Sequence, residues 1–410
     1  VNGWVLETDI QPEEGINLLP LSKYRSVGPS QEVIELARWA AHRWAGRLNR
    51  FLTTASPPKN VPSLKKHQAA SGEVNNTRHE TVWFQEVAKR KKAVLRLPPS
   101  LDAISIASEF VIKGNTLILS PSISGAHKLA AGLKRMGLHV SVVPEQWQNA
   151  AVGGSVVGSR SAAFAPIVDL SAVVVFDEHD NSYQEERTPT WNARDVVIER
   201  ANRKEIPCLL ISAIPSLEAL SWGYQIKLPR KEEREGWPIV EIIDRRVDDP
   251  TRSGLLSEKL TSILRESEGP VICILNRKGR SRLLACDRCG SLARCEKHQI
   301  PLTQREDHAL ECTSGCENRP VVCDFCGSTK FKNLRAGIAR LREELQALSK
   351  KKVVEISSDS KGEIPDSDIY IGTEAALHRV ERASHIVFLE FDQELLAPRF
   401  RAAEQAASLL

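Results

Sequence analysis

Cysteine side chains are concentrated in one short stretch of the sequence, where they come as close pairs. Seven of the nine cysteines lie between Cys286 and Cys326. With one histidine they form four pairs: Cys286 and Cys289, Cys295 and His298, Cys312 and Cys316, Cys323 and Cys326. A zinc ion binds four thiolate or imidazole ligands in a tetrahedron, and a C-x₂-C turn supplies two of them. Four pairs therefore predict two zinc sites with no ligand left over.

The loop lengths between the pairs indicate how they combine. Residues 299–311, which separate the two inner pairs, have about the length of the hairpin that a zinc-ribbon site closes. Pairing in sequence order is the alternative, but it would close the first site across only residues 290–294, which is sterically tight. We expect a nested arrangement, with Cys286, Cys289, Cys323 and Cys326 at zinc 1 and Cys295, His298, Cys312 and Cys316 at zinc 2.

Both predicted sites are closed sets of four ligands, which is typical of structural zinc, because a catalytic ion keeps one position open for water. Disulfide bonds are the alternative use of paired cysteines. We identify no signal peptide, so we expect a cytoplasmic location and reduced thiols. The two other cysteines, Cys208 and Cys273, lie in apolar strand-like runs and are expected in the core.

The bulk composition is that of an ordinary globular protein. The 410 residues include 41% hydrophobic and 26% charged residues, and this length allows two or three domains. The formal net charge of +4 is compatible with a nucleic-acid partner without requiring one. No apolar run reaches the roughly 18 residues of a membrane span, so we expect no membrane partner.

Short apolar, β-branched runs alternate with helical stretches through most of the chain. Six such runs lie within residues 93–212 and five within residues 239–391. This alternation predicts an α/β fold with two parallel sheets, each covered by helices. The predicted segments are an N-terminal region at 1–56, a linker at 57–80, a first lobe at 81–228 and a second lobe at 229–410. The N-terminal region is predicted to contain a strand at 3–7 and one amphipathic helix. The zinc module is predicted as an insertion at 284–330 in the second lobe. Two such lobes in tandem suggest a motor ATPase.

Acidic residues follow one of the apolar runs. Residues 172–176 read AVVVF, and Asp177, Glu178 and His179 come next. In a nucleotide-hydrolysing sheet, acids at this place hold magnesium and orient the attacking water. A solvated strand end is the alternative interpretation.

The phosphate-binding loop of such an ATPase is missing. The loop normally follows the first strand of the lobe and supplies glycines, backbone N–H groups and a lysine. Residues 96–103 instead read RLPPSLDA, and Pro98 and Pro99 have no backbone N–H. A triphosphate would lose most of its charge-assisted contacts here, so we expect no efficient ATP hydrolysis and no working ATP–Mg²⁺ cofactor.

Basic residues could contact nucleic-acid phosphates, although most basic runs are solvated surfaces. The sequence RKGRSR at 277–282 leads directly into the zinc module. Phosphate binding there would be independent of base sequence and sensitive to salt. The candidate DNA-binding residues are Arg160, Arg277, Lys278 and Arg280.

Five segments, in order, resemble motifs of the PriA family of bacterial replication-restart proteins. They are VVGSRSAAFAP at 156–166, HDNSYQ with NARD at 179–195, SAIPSLEAL at 212–220, LNRKGRSRLLACDRCG at 275–290 and FDQELLAPRFRAAEQ at 391–405. The resemblance implies two RecA-like lobes of a superfamily 2 helicase, a remnant of an N-terminal DNA-binding domain and two structural zinc ions. It also implies binding to forked, branched or single-stranded DNA, primosome proteins and single-stranded-DNA-binding protein as partners, and association with the bacterial nucleoid.

The sequence departs from the family pattern at the motor. Phe176 stands where the family has its magnesium-binding aspartate, which displaces Asp177 by one position, and Ile214 replaces a threonine. The last helicase arginines would lie beyond Leu410, and residues 57–80 are too few for a winged-helix domain. These departures predict a degenerate protein that keeps the scaffold and binds DNA, with Asp177, Glu178 and His179 as a catalytic remnant. The alternatives are an active 3′–5′ helicase with a divergent phosphate loop, and a zinc-ribbon interaction module without a DNA role.

Overall fold

The structure is a computed structural model of the chain. It describes residues 3–8, 11, 15, 20–64, 82–244, 256–275, 284–291, 293–298, 302–304, 309–312, 315–316, 318–333, 338–356, 364–397 and 400–410. The chain divides into two compact units, Val1–Ile239 with Ala407–Leu410, and Val240–Ala406. No described helix combines the length and the apolar composition that a membrane span requires.

The first unit is built on a parallel sheet of seven strands. The strands are β1 (Lys92–Arg96), β2 (Asn115–Leu119), β3 (Val140–Val143), β4 (Ser155–Gly158), β5 (Leu170–Val175), β6 (Cys208–Ser212) and β7 (Tyr224–Ile226). Their spatial order is β3-β4-β2-β5-β6-β1-β7, so β6 lies between β1 and β5. The predicted strand at residues 3–7 does not form. In its place Trp4 donates from its indole to the Ser56 hydroxyl at 2.8 Å, which ties this segment to a helix end.

Helices lie on both faces of this sheet because successive strand residues point in opposite directions. Val173 and Val175 pack in one hydrophobic core, and Val174, between them, packs in the other. The helices of this unit are α1 (Gln31–Arg43), α2 (Leu48–Ala55), α3 (Val82–Arg90), α4 (Ala103–Lys113), α5 (Ile123–Arg135), α6 (Trp147–Val152), α7 (Ala193–Lys204), α8 (Leu217–Trp222) and α9 (Arg230–Glu235). The predicted covering of a parallel sheet on both faces is confirmed.

The N-terminal helices share the core of the first sheet. Arg200 on α7 is fully buried and donates to both carboxylate oxygens of Glu32 on α1 at 2.8 Å. The single amphipathic helix predicted here is two helices, because the chain turns at Ala45, which has a φ of +48°, and Gly46. Such a left-handed residue followed by glycine is a common way for a helix to end. Residues 65–81 of the predicted linker and lobe boundary lie outside the described residues.

The second unit contains a smaller parallel sheet and the cysteine-rich module. Its strands are β8 (Val271–Ile274), β9 (Leu284–Cys286), β10 (Thr303–Gln304), β11 (Ala309–Glu311), β12 (Arg319–Pro320), β13 (Phe331–Asn333), β14 (Val353–Ile356), β15 (Ile369–Gly372) and β16 (His385–Phe388). The parallel sheet has the order β14-β15-β8-β16, while β9–β13 and β10-β11-β12 are small antiparallel sheets inserted between β8 and β14. The remaining helices are α10 (Glu258–Glu266), α11 (Ile338–Ser349), α12 (Asp392–Leu395) and α13 (Ala402–Leu409).

One strand predicted for the second sheet is wrong. Residues 239–244 have no regular secondary structure, with Ile239 fully exposed and Ile242 88% exposed. This mainly apolar run has no neighbouring strand to pair with among the described residues, and a pattern alone does not make a strand. The second sheet therefore has four strands in the described part of the chain.

Candidate metal centres and the remnant of a nucleotide site

The outer cysteine pairs lie on two turns of nearly identical sequence and conformation. Residues 286–291 read CDRCGS and residues 323–328 read CDFCGS. In both turns the N–H of the first cysteine donates to the carbonyl of the last serine, and the glycine N–H donates back to that cysteine's carbonyl, each at 2.9 Å. Gly290 and Gly327 have φ values of +75° and +70°, a conformation that favours glycine. The local sequence therefore fixes the direction of the paired thiols in each turn.

The two outer turns face each other. The Sγ atoms of Cys286 and Cys326 are 3.4 Å apart, and those of Cys289 and Cys323 are 3.6 Å apart. A disulfide would require about 2.05 Å, so these sulfurs are not bonded to each other. A tetrahedral zinc with Zn–S bonds of about 2.3 Å would place its sulfurs about 3.8 Å apart. The geometry of the four thiols fits such an ion.

The inner set has the same spacing with a histidine in one position. The Sγ atoms of Cys295 and Cys316 are 3.8 Å apart. Nδ1 of His298 lies 3.7 Å from Cys295, 3.5 Å from Cys312 and 3.5 Å from Cys316. In each set of four, all ligand atoms lie within 4.8 Å of one another. The structure thus brings the eight predicted ligands together as two nested sets.

Arg319 connects the two sets. It lies on β12 and donates hydrogen bonds to the carboxylate of Asp324 in the second outer turn and to the carbonyl of Arg294 at 3.4 Å, beside the inner ligand Cys295. The hydrogen bond from Arg319 holds the pKa of the Asp324 carboxyl below its ordinary value. The inner and outer sites are consequently held in one module.

Hydrogen bonds within each set favour ionisation of some of its thiols. Burial opposes ionisation of Cys286, but N–H groups of the turn and the Cys326 thiol lower its pKa to about 6. The backbone N–H of His298, working against burial, helps to lower the pKa of Cys295 to about 6 as well. Zinc binds thiolates rather than thiols, so each set already contains a group suited to it.

The predicted DNA-binding residues fall in two places. Arg277, Lys278 and Arg280 lie outside the described residues. Arg160 follows β4, and its guanidinium donates to the carbonyls of Ser182 at 3.0 Å and Gln184 at 2.9 Å and to the carboxylate of Glu185 at 2.9 Å. Arg160 therefore holds the segment that follows the acidic remnant.

The acidic remnant at the end of β5 is tied into the protein. Glu178 is buried, and its carboxylate accepts hydrogen bonds from Arg194 at 2.8 Å and from the Ser216 N–H and hydroxyl at 2.6 and 2.9 Å. Nδ1 of His179 lies 2.7 Å from the Ser212 hydroxyl. Phe176 is buried, while Asp177 is exposed. These contacts link the end of β5 to the loop after β6, and the sequence analysis did not foresee the partners of Glu178.

A carboxylate caps α4, the helix that follows β1. Asp102 accepts hydrogen bonds from the N–H groups of Ile104 at 3.0 Å and Ser105 at 3.1 Å and from the Ser105 hydroxyl at 2.7 Å. Burial raises the pKa of Asp102, but these hydrogen bonds outweigh it and the net pKa is lowered. An aspartate just before an apolar helical run is a recognised start signal, so the sequence did contain this information.

Known proteins were compared with the chain as a whole. No family model matches it. Replication restart protein PriA of Bacillus subtilis is 29% identical over 283 residues, covering 62% of this chain and 35% of that protein. Replication restart protein PriA of Haemophilus influenzae is 27% identical over 358 residues, covering 80% of this chain and 47% of that protein. The chain therefore spans about half, or less, of the length of these relatives.

Several solved structures also align with most of the chain. One of them is a variant of Saccharomyces cerevisiae Dbp5 bound to RNA and ADP BeF3, with a TM-score of 0.38 and 11% identity, covering 78% of this chain and 75% of that one. The resemblance that the sequence motifs predict is confirmed by the two curated relatives: this chain is a sequence relative of the PriA replication restart proteins.

Proposed function

We propose that this chain is a PriA-like replication-restart protein. In this role it binds forked or branched DNA and primosome partners, holds two structural zinc ions and does not hydrolyse ATP efficiently. The similarity to a curated PriA protein over 80% of the chain carries this proposal. Partners of the primosome, including single-stranded-DNA-binding protein, are proposed on the same similarity.

The zinc ions are proposed from the donor sets. Zinc 1 would be held by Cys286, Cys289, Cys323 and Cys326, and zinc 2 by Cys295, His298, Cys312 and Cys316. Bound zinc would cross-link the turns that carry its ligands. Both sets use all four tetrahedral positions, so the proposed role is structural.

The DNA contact is proposed from the basic cluster that leads into the module. Arg277, Lys278 and Arg280 would neutralise phosphates without reading bases. Arg160 has a 33% exposed side chain, and its three named hydrogen bonds leave two of its five guanidinium donors for a phosphate. Its main contribution would be to orient the segment it holds.

A salt titration tests the DNA role. Zinc-loaded full-length chain would be titrated with a labelled DNA fork and with the matching duplex at several salt concentrations, followed by fluorescence anisotropy. We expect preference for the fork and a linear fall of log affinity with log salt. Replacing Arg277, Lys278 and Arg280 by glutamine should reduce the slope by about one for each lost phosphate contact. The matched control replaces three exposed lysines of the first unit, Lys134, Lys204 and Lys227.

The alternatives predict different results. If no salt-dependent DNA binding is measured, the chain is a zinc-ribbon interaction module instead. ATP turnover that is stimulated by forked DNA and disappears in an Asp177→Ala variant would establish an active helicase with a divergent phosphate loop. We expect the zinc-loaded protein to show no ATP turnover above that of a reaction without protein.

A further inference from the structure

The loop after β1 is the place where a phosphate group would have to bind. In parallel α/β sheets, ligands bind beyond the carboxyl ends of the strands, and phosphates accept hydrogen bonds from free N–H groups of the loop and the following helix. The loop at residues 97–102 joins β1 to α4. Whether a phosphate can bind there depends on which of its N–H groups are free.

The backbone of this loop donates to the protein itself. Leu97 donates its N–H to the carbonyl of Ser212 at 2.9 Å, and Leu101 donates to the carbonyl of Pro98 at 3.1 Å. Pro98 and Pro99 have no N–H to offer. At the start of α4, the carboxylate of Asp102 accepts from the N–H groups of Ile104 and Ser105. An incoming phosphate would have to displace these acceptors.

A later segment of the chain lies on the same loop. The N–H of Ser100 donates to the carbonyl of Gly236 at 3.2 Å. Gly236 is buried and packs so closely on Pro98 that an added Cβ would collide with the proline ring. Its φ of −81° is ordinary, so the reason for glycine here is the close approach and not the backbone conformation.

The end of β1 makes two further contacts with this segment. The guanidinium of Arg96 lies over the Trp237 ring, 4.7 Å from its centroid, and 3.2 Å from the Glu233 carboxylate. Stacking and ion pairing together hold the segment at both sides of Gly236. All of these residues belong to the first unit.

We propose that residues 229–237, the covering segment, occupy the position of the nucleotide phosphates and close this site permanently. The carbonyl of Gly236 and the carboxylate of Asp102 are the resident acceptors for the N–H groups that a phosphate would otherwise bind. These N–H groups of the first unit thus have acceptors without a nucleotide. The loop lacks the usual phosphate-binding lysine, and the protein's own oxygen atoms take the place of the phosphate oxygens.

A nucleotide titration tests closure of the site. Zinc-loaded full-length protein would be titrated with a fluorescent ADP analogue in the presence of Mg²⁺. We expect no saturable signal up to about 1 mM analogue. Saturable binding that unlabelled ATP displaces would overturn the proposal.

A second experiment tests whether the covering segment is packed as described. Gly236→Ala places a methyl group against Pro98 and should lower the melting temperature by roughly 2–10 °C, with a shift of tryptophan emission as Trp237 leaves Arg96. Trp237→Phe identifies the part of the emission that belongs to this ring. Glu235→Ala, at an exposed position in the same helix, is the matched control and should change neither quantity.

The outcomes separate this inference from the proposed function. If Gly236→Ala melts and emits like the wild type, the covering segment does not pack on the loop and the proposal fails. The DNA titration does not use this site. A chain that does not bind DNA could still have a closed nucleotide site, and a chain that binds nucleotide could still bind DNA.

Discussion

The cysteine-rich module and the end of β5 differ in whether their polar side chains have hydrogen-bond partners within the protein or face one another. In the module, the four donor atoms of each set lie within 4.8 Å of one another. At the end of β5, the carboxylate of Glu178 is saturated by Arg194 and Ser216. The donor atoms of the module face one another, as in a site that binds an ion, whereas the carboxylate of Glu178 is satisfied by hydrogen bonds inside the protein.

The same contrast extends to burial and charge. Converging thiolates would repel one another without a cation, so with the proposed zinc ions the module would depend on its bound metal. The buried pair of Glu178 and Arg194 is already neutral as a pair, with 0% and 10% of the two side chains exposed. The remnant should therefore behave as core, and the module as a ligand-dependent fold.

The largest expected effect is removal of zinc. We expect about two zinc ions per chain, and chelation should unfold the module, because structural zinc contributes on the order of 10 kcal/mol to such folds. Thiol labelling measures this: the seven module cysteines should react after chelation. Cys208 and Cys273, whose pKa values burial raises to about 12, should stay unreactive until the lobes unfold.

Single substitutions show whether the two sites are separate. Cys326→Ser should cost zinc 1 and leave zinc 2 bound, and His298→Ala should weaken zinc 2 more than zinc 1. Zinc content by elemental analysis is the measurement. One ion or none in the unmodified chain would refute the assignment, and loss of both ions in either variant would indicate one coupled cluster.

The spacing of the cysteines made the module predictable from the sequence. Contacts between residues far apart in the sequence were not predictable. The conformation of the turns at 286–291 and 323–328 is determined locally, because the glycines and cysteines that shape each turn lie within it. Strands such as β5 were predictable because their apolar runs are continuous. The partners of Glu178, Arg194 in α7 and Ser216 before α8, lie 16 and 38 residues away in the sequence, and periodicity does not encode such contacts.

The errors in prediction have the same physical origin. The apolar pattern at residues 239–244 fits a strand, but a strand needs a neighbour, and the sequence does not reveal which neighbours are available. The prediction of one helix across Ala45 and Gly46 was an error that the local sequence could have prevented, because a glycine at this place is a helix stop signal. The covering segment was not foreseeable, since nothing in its charged sequence indicates contact with a loop about 135 residues earlier.

A substitution at Glu178 gives the next largest effect. Glu178→Ala removes the buried carboxylate from the Arg194 guanidinium and leaves only the more exposed Asp195 at 3.5 Å, and we expect a loss of about 3–5 kcal/mol in unfolding free energy. The measurement is urea denaturation of the zinc-loaded chain, followed by circular dichroism.

The matched control for this prediction is Glu199→Ala. It removes a more exposed pair with Arg203, 2.7 Å apart on one face of α7, and should cost at most about 1 kcal/mol. Equal losses in the two variants would show that Glu178 is no more structural than a surface acid, and the contrast drawn between the module and the remnant would fail.

The smallest expected effect concerns the carboxylate that caps α4. Asp102→Ala should cost about 1 kcal/mol, and Asp102→Asn should cost less, because asparagine also caps helices. The folded pKa of Asp102 lies below its ordinary value of 3.8, so its charge stabilises the fold above that pH and the benefit is lost as the pH falls through the lowered pKa. The difference in melting temperature between wild type and Asp102→Ala should thus be constant above about pH 4 and shrink below it. Acid also protonates the zinc ligands, but both proteins share that loss, so it cancels in the difference between them. A difference that grows on acidification would mean that Asp102 is protonated in the fold, and that a neutral side chain, not an anion, occupies the place of the phosphate.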